Sequence, residues 1–292
     1  MTAGSLERIP APALVLAAVV SVQFGGALAA TLVPAVGAAG SVALRLTISA
    51  VVIAAVVRPR LRGRTRADWG TVILYAGSLA AMNLSFYESL TRLPIGVAVT
   101  IEFIGPLTLS AVLSRRLRDF GAVLAAAVGV LLISEALSTP WADLDHTGMF
   151  FALLAGVFWA AYIVTGGHTA RRFEQLDGLA IALLLGAAVL VPVGAFTAGS
   201  KLLEPEILAK GFGVAMLSSL IAYSLELVAL RRISASVFGV LLSLEPAVAA
   251  LAGLIVLDQT LGPVQLVGMA LVVAASAIIM GSKRPKEPVI TD

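Results

Sequence analysis

The chain has 292 residues, of which 59% are hydrophobic and only 13% charged, with a formal net charge of +3 and a mean hydropathy of +1.01. A soluble domain carries about 25% charged residues, so this composition excludes a water-soluble globular protein and points to an all-α integral membrane protein. The surplus of arginine does not indicate nucleic acid, because it stands in short clusters beside apolar spans, and the lack of cysteine excludes disulfides, thiolate metal sites and a cysteine nucleophile.

A membrane-spanning helix needs about 20 mainly apolar residues. Ten such stretches occur, at 11–33, 41–57, 69–90, 95–113, 120–135, 147–166, 176–196, 211–230, 235–256 and 263–281. Pro34, Arg58-Pro59, Pro94, Thr139-Pro140, Pro205 and Gly262-Pro263 punctuate the connections. The first stretch, with Arg8 ahead of Leu14 to Ala30, also has the outline of a signal peptide ending in Ala27-Leu-Ala-Ala. Its counterpart in the second half of the chain favours a retained span.

Orientation follows from the basic residues. With the N-terminus inside, the cytoplasmic side holds Arg8; Arg58, Arg60, Arg62, Arg64 and Arg66; Arg115, Arg116 and Arg118; Arg171 and Arg172; Arg231 and Arg232; and Lys283, Arg284 and Lys286. The outer side holds only Arg92, Lys201 and Lys210. Sixteen against three puts both termini in the cytoplasm. Five spans per half force the halves into opposite orientations, and a shift of 140 residues aligns Leu90, Arg92 and Pro106 with Leu230, Arg232 and Pro246. The expectation is two inverted five-helix repeats, 1–140 and 141–292, around a central cavity, the plan of alternating-access transporters.

Spans 4 and 9 carry matched interruptions: Glu102 with Gly105-Pro106, and Glu245-Pro246. A carboxylate and a helix breaker at membrane depth are costly, because lipid offers water to neither the charge nor the freed carbonyl. Glu102 lies about seven residues into its span, roughly 10 Å along the helix, and is the leading candidate for binding substrate or a proton. The alternative is a neutral acid fixing helix packing. Glu245 can do the same, or cap backbone freed by Pro246, so Gly105, Pro106, Glu245 and Pro246 are also kink candidates. Arg45 is the only Lys or Arg inside a span. It either snorkels to the outer surface or faces the cavity and binds a carboxylate bidentately. Paired with Glu102 as amine partner, it suits a zwitterionic amino acid.

Gln23, Asn83, Tyr87, Trp159, Tyr162 and Tyr223 are polar or amphipathic groups that can pack helices singly or line a polar cavity together. Glu88 and Arg92 read as an ordinary i,i+4 ion pair, and Glu226, close to Arg231 and Arg232, takes the same reading. Small residues such as Gly25-Gly26, Gly70, Gly77, Gly186 and Gly268 permit close helix approach, within one chain or between two, so they leave the oligomeric state open. His146 and His168 have no ligand company, so no metal site is expected. No phosphate-binding loop, His-Glu-x-x-His motif or Gly-x-Ser-x-Gly elbow occurs. A cofactor and an enzyme activity are therefore not expected.

Leu241-Leu-Ser-Leu-Glu-Pro-Ala-Val-Ala-Ala-Leu-Ala-Gly-Leu-Ile, then Leu257-Asp-Gln-Thr-Leu and Gln265-Leu-Val-Gly, resemble the final repeat of the EamA drug/metabolite transporters. Val42-Ala-Leu-Arg-Leu, Met82-Asn-Leu-Ser-Phe-Tyr-Glu-Ser-Leu, Gly96-Val-Ala-Val-Thr-Ile-Glu-Phe-Ile-Gly-Pro-Leu and Gly148-Met-Phe-Phe-Ala-Leu-Leu-Ala-Gly-Val-Phe-Trp-Ala-Ala-Tyr-Ile resemble the threonine and homoserine exporter branch. Where the last repeat of the family usually reads Gly-Glu, this chain has Leu257-Asp258-Gln259. The resemblance implies a ten-helix bacterial inner-membrane exporter of small amino acids, driven by inward proton flow. Relatives moving other metabolites or drugs, aromatic or hydrophobic compounds among them, supply the alternative.

Overall fold

The structure, a computed structural model, describes residues 9–93, 95–113, 117–133, 144–248, 251 and 262–281. Pro94, Thr139-Pro140, Leu257-Asp258-Gln259, Arg8, Arg115, Arg116, Lys283, Arg284 and Lys286 lie outside the described residues. The elements in order are α1 (Ala11–Ala30), α2 (Val33–Val57), α3 (Arg66–Leu90), α4 (Ile95–Leu113), α5 (Leu117–Ile133), α6 (His146–Arg172), α7 (Asp177–Ala198), α8 (Pro205–Leu230), α9 (Ala235–Leu242) and α10 (Pro263–Gly281). No strand occurs among the described residues. Pro34 and Pro205 start helices rather than merely separating them, since a first-turn proline lacks only an N–H that has no helical partner anyway.

Four helices, Val33–Val57, His146–Arg172, Asp177–Leu203 and Pro205–Leu230, are long and apolar enough to cross a membrane, and shorter apolar helices stand beside them. Polarity is inverted relative to a soluble protein. Val56, Ile73, Leu74, Val112 and Phe196 face outward, while Arg45, Glu102 and Glu226 are buried. Lipid, unlike water, accepts the first group and rejects the second.

Packing joins α2 to α7, α3 to α6, α4 to α9, α5 to α10 and α1 to α8. The contact of α4 with α6 is made backbone to backbone. Pro106 has no N–H, so the Glu102 carbonyl one turn earlier loses its helical donor. Helix α4 nevertheless runs through Pro106, and α6 presents Gly156 to that carbonyl. A Cβ on Gly105 would overlap the Gly156 carbonyl, and one on Gly156 would overlap Glu102 O. Gly129 of α5 and Gly268 of α10 repeat the device, each 2.7 Å from the other's carbonyl by the same measure. In α4 and α9, Ser110 Oγ donates to Ser236 O at 3.2 Å and Ser236 Oγ to Ser110 O at 3.3 Å.

Three helices depart from regular geometry. In α2, Gly37 takes φ 72° and ψ 176°, a conformation closed to residues with a Cβ. Its carbonyl is capped by Ser41 Oγ at 2.8 Å. Helix α8 passes through a π-helical stretch, Met216–Ile221, where Ser21 donates to Leu217 O at 2.6 Å and Ser49 to Ala215 O at 3.1 Å. Helix α9 stops at Leu242, turns through 243–244 and resumes at 245–248. There Ser243 and Ser276 hydroxyls donate to Val240 O at 2.6 and 3.4 Å. The two prolines of the matched interruptions thus act unequally: Pro106 sits inside a continuous helix, whereas Pro246 opens a new segment.

The arginine-rich turns are tied to one another. Arg64 pairs with Asp177 at 2.6 Å, donates to Arg60 O at 3.0 Å and lies 4.8 Å from the centroid of the Phe173 ring. Arg231 donates to the carbonyls of Phe173 and Gln175, and Arg232 to Ile9 O at 2.6 Å. Thr65 and Asp68 form a capping box at the start of α3. The Thr65 N–H and hydroxyl hold the Asp68 carboxyl below the usual carboxylate range, and Arg172 bridges to it at 3.2 Å.

Gly156→Ala is expected to push α4 and α6 apart and to lower stability by about 1–3 kcal/mol. A thermal-unfolding midpoint in detergent would fall, while Gly77→Ala, with nothing within 4 Å of its added methyl, leaves it unchanged.

Candidate functional site

Residues 75, 83 and 87 of α3 fall on one i,i+4 ladder, so Tyr75, Asn83 and Tyr87 point to one side of that helix. Helices α2, α6 and α8 face them with Arg45, Tyr162, Ser218, Tyr223 and Glu226.

Arg45 does not snorkel. It is 5% exposed, donates from Nη1 to Tyr87 Oη at 3.4 Å and to Ser218 Oγ at 3.3 Å, and its guanidinium carbon lies 5.4 Å from the Tyr87 ring centroid. Its Nε and Nη2 are buried and have no hydrogen-bond partner. No carboxylate forms an ion pair with it among the described residues. Ser218 stands within the π-helical stretch, which turns its hydroxyl toward α2 while that hydroxyl also donates to Val214 O at 2.7 Å. π-helical turns of this kind recur at functional sites.

One layer along, Asn83 Nδ2 donates to Tyr223 Oη at 3.1 Å across 140 residues of sequence. The Tyr223 ring lies 5.7 Å from that of Tyr162, which stacks on Tyr75 with centroids 5.3 Å apart. Tyr162 Oη donates to Glu226 Oε2 at 2.7 Å. Glu226 is therefore not the loop ion pair that its neighbours Arg231 and Arg232 suggest. One turn of helix lies between them, and it points Glu226 inward at 5% exposure. Glu88 and Arg92 do pair as their spacing requires, at 3.1 Å.

Glu102 is buried on α4, beside Phe103, whose ring meets that of Trp159 edge-on at 4.8 Å. No hydrogen bond joins Glu102 to Arg45 among the described residues. Glu245 accepts from Gln23 Nε2 at 3.3 Å and lies within electrostatic reach of Glu226 and Glu102. The structure thus gathers Arg45, Tyr87, Asn83, Tyr162 and Tyr223 into one connected polar core and sets Glu102, Gln23 and Glu245 beside it. Gly105 and Pro106 serve the α4–α6 contact.

Two open cavities flank this core along α2. One, of about 470 Å³, is lined by Gly37, Glu88, Thr91, Thr197 and Lys201 among others. The other, of about 170 Å³, is lined by Val57, Arg58, Arg60, Glu174, Gln175 and Asp177. Arg45 lies eight residues beyond Gly37, about 12 Å along the helix. Ser218 and Tyr75 are members of the core that sequence reasoning did not name, and Glu226 is one that it took for an ion pair. The i,i+3 spacing of Tyr223 and Glu226 was the available sign that they share a face, whereas nothing in Met216-Leu-Ser-Ser-Leu-Ile announces a π-helical stretch.

Fold and site together define a helical membrane protein with lipid-facing apolar helices and a polar centre walled off by close helix contacts. Residues 146–281 match the EamA-like transporter family. The chain is 38% identical to the threonine/homoserine exporter RhtA of Escherichia coli, over 96% of this chain and 94% of that protein. It is 39% identical to the Salmonella typhimurium protein of the same name over the same shares. A solved crystal structure of a protein 20% identical in sequence superposes with a TM-score of 0.73, covering 92% of this chain and 95% of the other, which is a likeness of fold. This chain belongs to the EamA-like transporter family.

The Asn83–Tyr223 bond is expected to register in a double-mutant cycle. Asn83→Leu and Tyr223→Phe should show an interaction energy of about 1 kcal/mol in thermal or denaturant unfolding, the usual scale for an interhelical hydrogen bond.

Proposed function

We propose that this chain is a secondary transporter that exports threonine, homoserine or related small amino acids across the bacterial plasma membrane by proton antiport. The observation that carries the reading is the Arg45 guanidinium, buried with two unpartnered nitrogens and, among the described residues, no carboxylate of its own. A buried cation without an anion is costly, and an incoming amino-acid carboxylate supplies the missing partner bidentately. Glu102 meets either the substrate amine or the coupling proton. Tyr87, Asn83, Gln23, Trp159, Tyr162 and Tyr223 line the path. The two relatives named threonine/homoserine exporters, similar over nearly their whole length, support the choice of substrate.

Ten transmembrane helices form two inverted repeats, 1–140 and 141–292, with both termini in the cytoplasm. Contacts between helices in matching positions of the two halves support this, α2 with α7, α4 with α9 and α5 with α10. So does the bond between Asn83 and Tyr223, which occupy matching places under the 140-residue shift. Rocking of the halves, with α9 bending at Glu245-Pro246, exposes Arg45 alternately to the two cavities.

The test is counterflow in proteoliposomes with labelled threonine, homoserine and a cationic dye. Threonine and homoserine exchange is expected, and uptake of dye alone would sink the amino-acid reading in favour of a broad drug exporter. Arg45→Lys keeps the charge but loses the planar fork. It should raise the KM for threonine roughly 10- to 150-fold, the span of about 1.5–3 kcal/mol for a charge-assisted hydrogen bond. Glu102→Gln, correctly inserted, should lose threonine export or its pH dependence. Export at the wild-type rate with unchanged pH dependence would remove Glu102 from the mechanism.

A further inference from the structure

Resting on the antiport reading, we infer that Glu226 is the proton-binding site of this transporter, separate from the substrate-binding pair, which leaves Glu102 to the substrate amine. Glu226 is buried on α8 with one hydrogen-bond donor resolved, the Tyr162 hydroxyl at 2.7 Å. No ion pair reaches it among the described residues. Of the nearby basic groups, Arg231 and Arg232 donate to the backbone carbonyls of Phe173, Gln175 and Ile9.

The charged and titratable groups around it are few. From α6 comes Tyr162, from α3 Tyr75, and from α2 Arg45, which sits beside Tyr223. Beyond α9 lies Glu245, with Glu102 of α4 past it. Helix α1 brings only Gln23, and that is bonded to Glu245. On α7, Asp177 is occupied by Arg64. A carboxylate buried without a cation can discharge only by taking a proton when the core opens to water.

The phenol partner suits that exchange. Toward a carboxylate, the Tyr162 hydroxyl donates. When Glu226 takes up one proton, its carbonyl oxygen can still accept from the Tyr162 hydroxyl, or its new O–H can donate to the phenol oxygen, so both protonation states keep a partner. Tyr162 thus holds Glu226 in either state, and its ring stacks on Tyr75 and lies tilted against Tyr223. Tyr223 bonds to Asn83, which stands one turn along α3 from Tyr87, the partner of Arg45, and it lies within electrostatic reach of the guanidinium. Among the described residues no hydrogen bond joins Glu102 to this group, and Glu245 is held by Gln23, whose Nε2 can only donate to it. Substrate at Arg45 and proton at Glu226 thus occupy neighbouring layers of one core, where occupancy of one can bias the other.

The deciding experiment compares two assays in proteoliposomes: threonine counterflow at matched pH, and threonine accumulation driven by an imposed pH gradient. Glu226→Gln should lose gradient-driven accumulation by at least ~10-fold while counterflow persists and no longer varies with pH. Glu102→Gln should lose counterflow itself. Wild-type accumulation in Glu226→Gln overturns the assignment, and so does loss of both assays in a monodisperse, correctly inserted protein. If the wild type shows counterflow but no gradient-driven accumulation, the antiport reading fails, and that result is distinct from either. Glu226→Asp covers a glutamine variant that does not fold. It retains a titrating group in a shifted position, so the pH midpoint of driven transport should move by about half a unit or more, and an unmoved midpoint overturns the proposal.

Discussion

A full positive charge held inside the bundle is the constraint that shapes everything around Arg45. At 5% exposure and with no ion-pair partner among the described residues, the guanidinium is tolerated through partial contacts: the Tyr87 ring and hydroxyl on one side, Ser218 on the other. Both hydrogen bonds are long, so they hold the group in place without saturating it. A tighter cage, such as a resident carboxylate, would lower the energy of the empty protein and leave nothing to offer a ligand. Bringing Ser218 into range requires the π-helical stretch of α8, and that stretch in turn requires serines on α1 and α2 to receive its displaced carbonyls. The irregular helix and its small polar neighbours are therefore parts of one arrangement.

The same rule governs the other irregularities. At Gly37 and at the break of α9, hydroxyls from the same or an adjacent helix meet the released carbonyls: Ser41 at Gly37, Ser243 and Ser276 at Val240. Pro106 is treated differently. Its orphaned carbonyl, that of Glu102, faces the Cα of Gly156, and no hydroxyl is used. In hydrocarbon, broken backbone is permitted only where protein covers it. Ser218 in the π-helical stretch of α8 and Ser243 at the break of α9 are buried, whereas Gly37 of α2 opens onto the cavity beside Glu88.

Much of this was legible in the sequence because the bilayer simplifies the reading. Long apolar stretches located the helices, although α2 starts at Val33 rather than 41, α6 runs on to Arg172 rather than 166 and α9 stops at Leu242 rather than running to 256. Burial of Glu102 followed from the cost of ions in lipid, whereas the same reasoning left Arg45 open between the cavity and the outer surface. What escaped were features decided by tertiary fit. Helix α8 begins at Pro205 rather than near residue 211, because its first turns are amphipathic, with Glu206 and Lys210 paired at 2.7 Å on the exposed side. Proximity in sequence to Arg231 and Arg232 disguised Glu226, since those arginines are taken up by carbonyls of the α6–α7 turn and of Ile9. The unequal behaviour of Pro106 and Pro246 was likewise invisible. Each has the same chemistry, and at Pro106 the helix continues against a glycine, Gly156, of the neighbouring α6.

Asn83 and Tyr223 occupy matching places in the two proposed repeats and touch each other. In a symmetric pair of separate five-helix chains, the residue on such an axis would meet its own copy, and the two side chains would have to be the same. Joining the halves into one gene lifts that restriction. An amide on one side can then pair with a phenol on the other, and a site on the axis can become as asymmetric as the amino acid it holds.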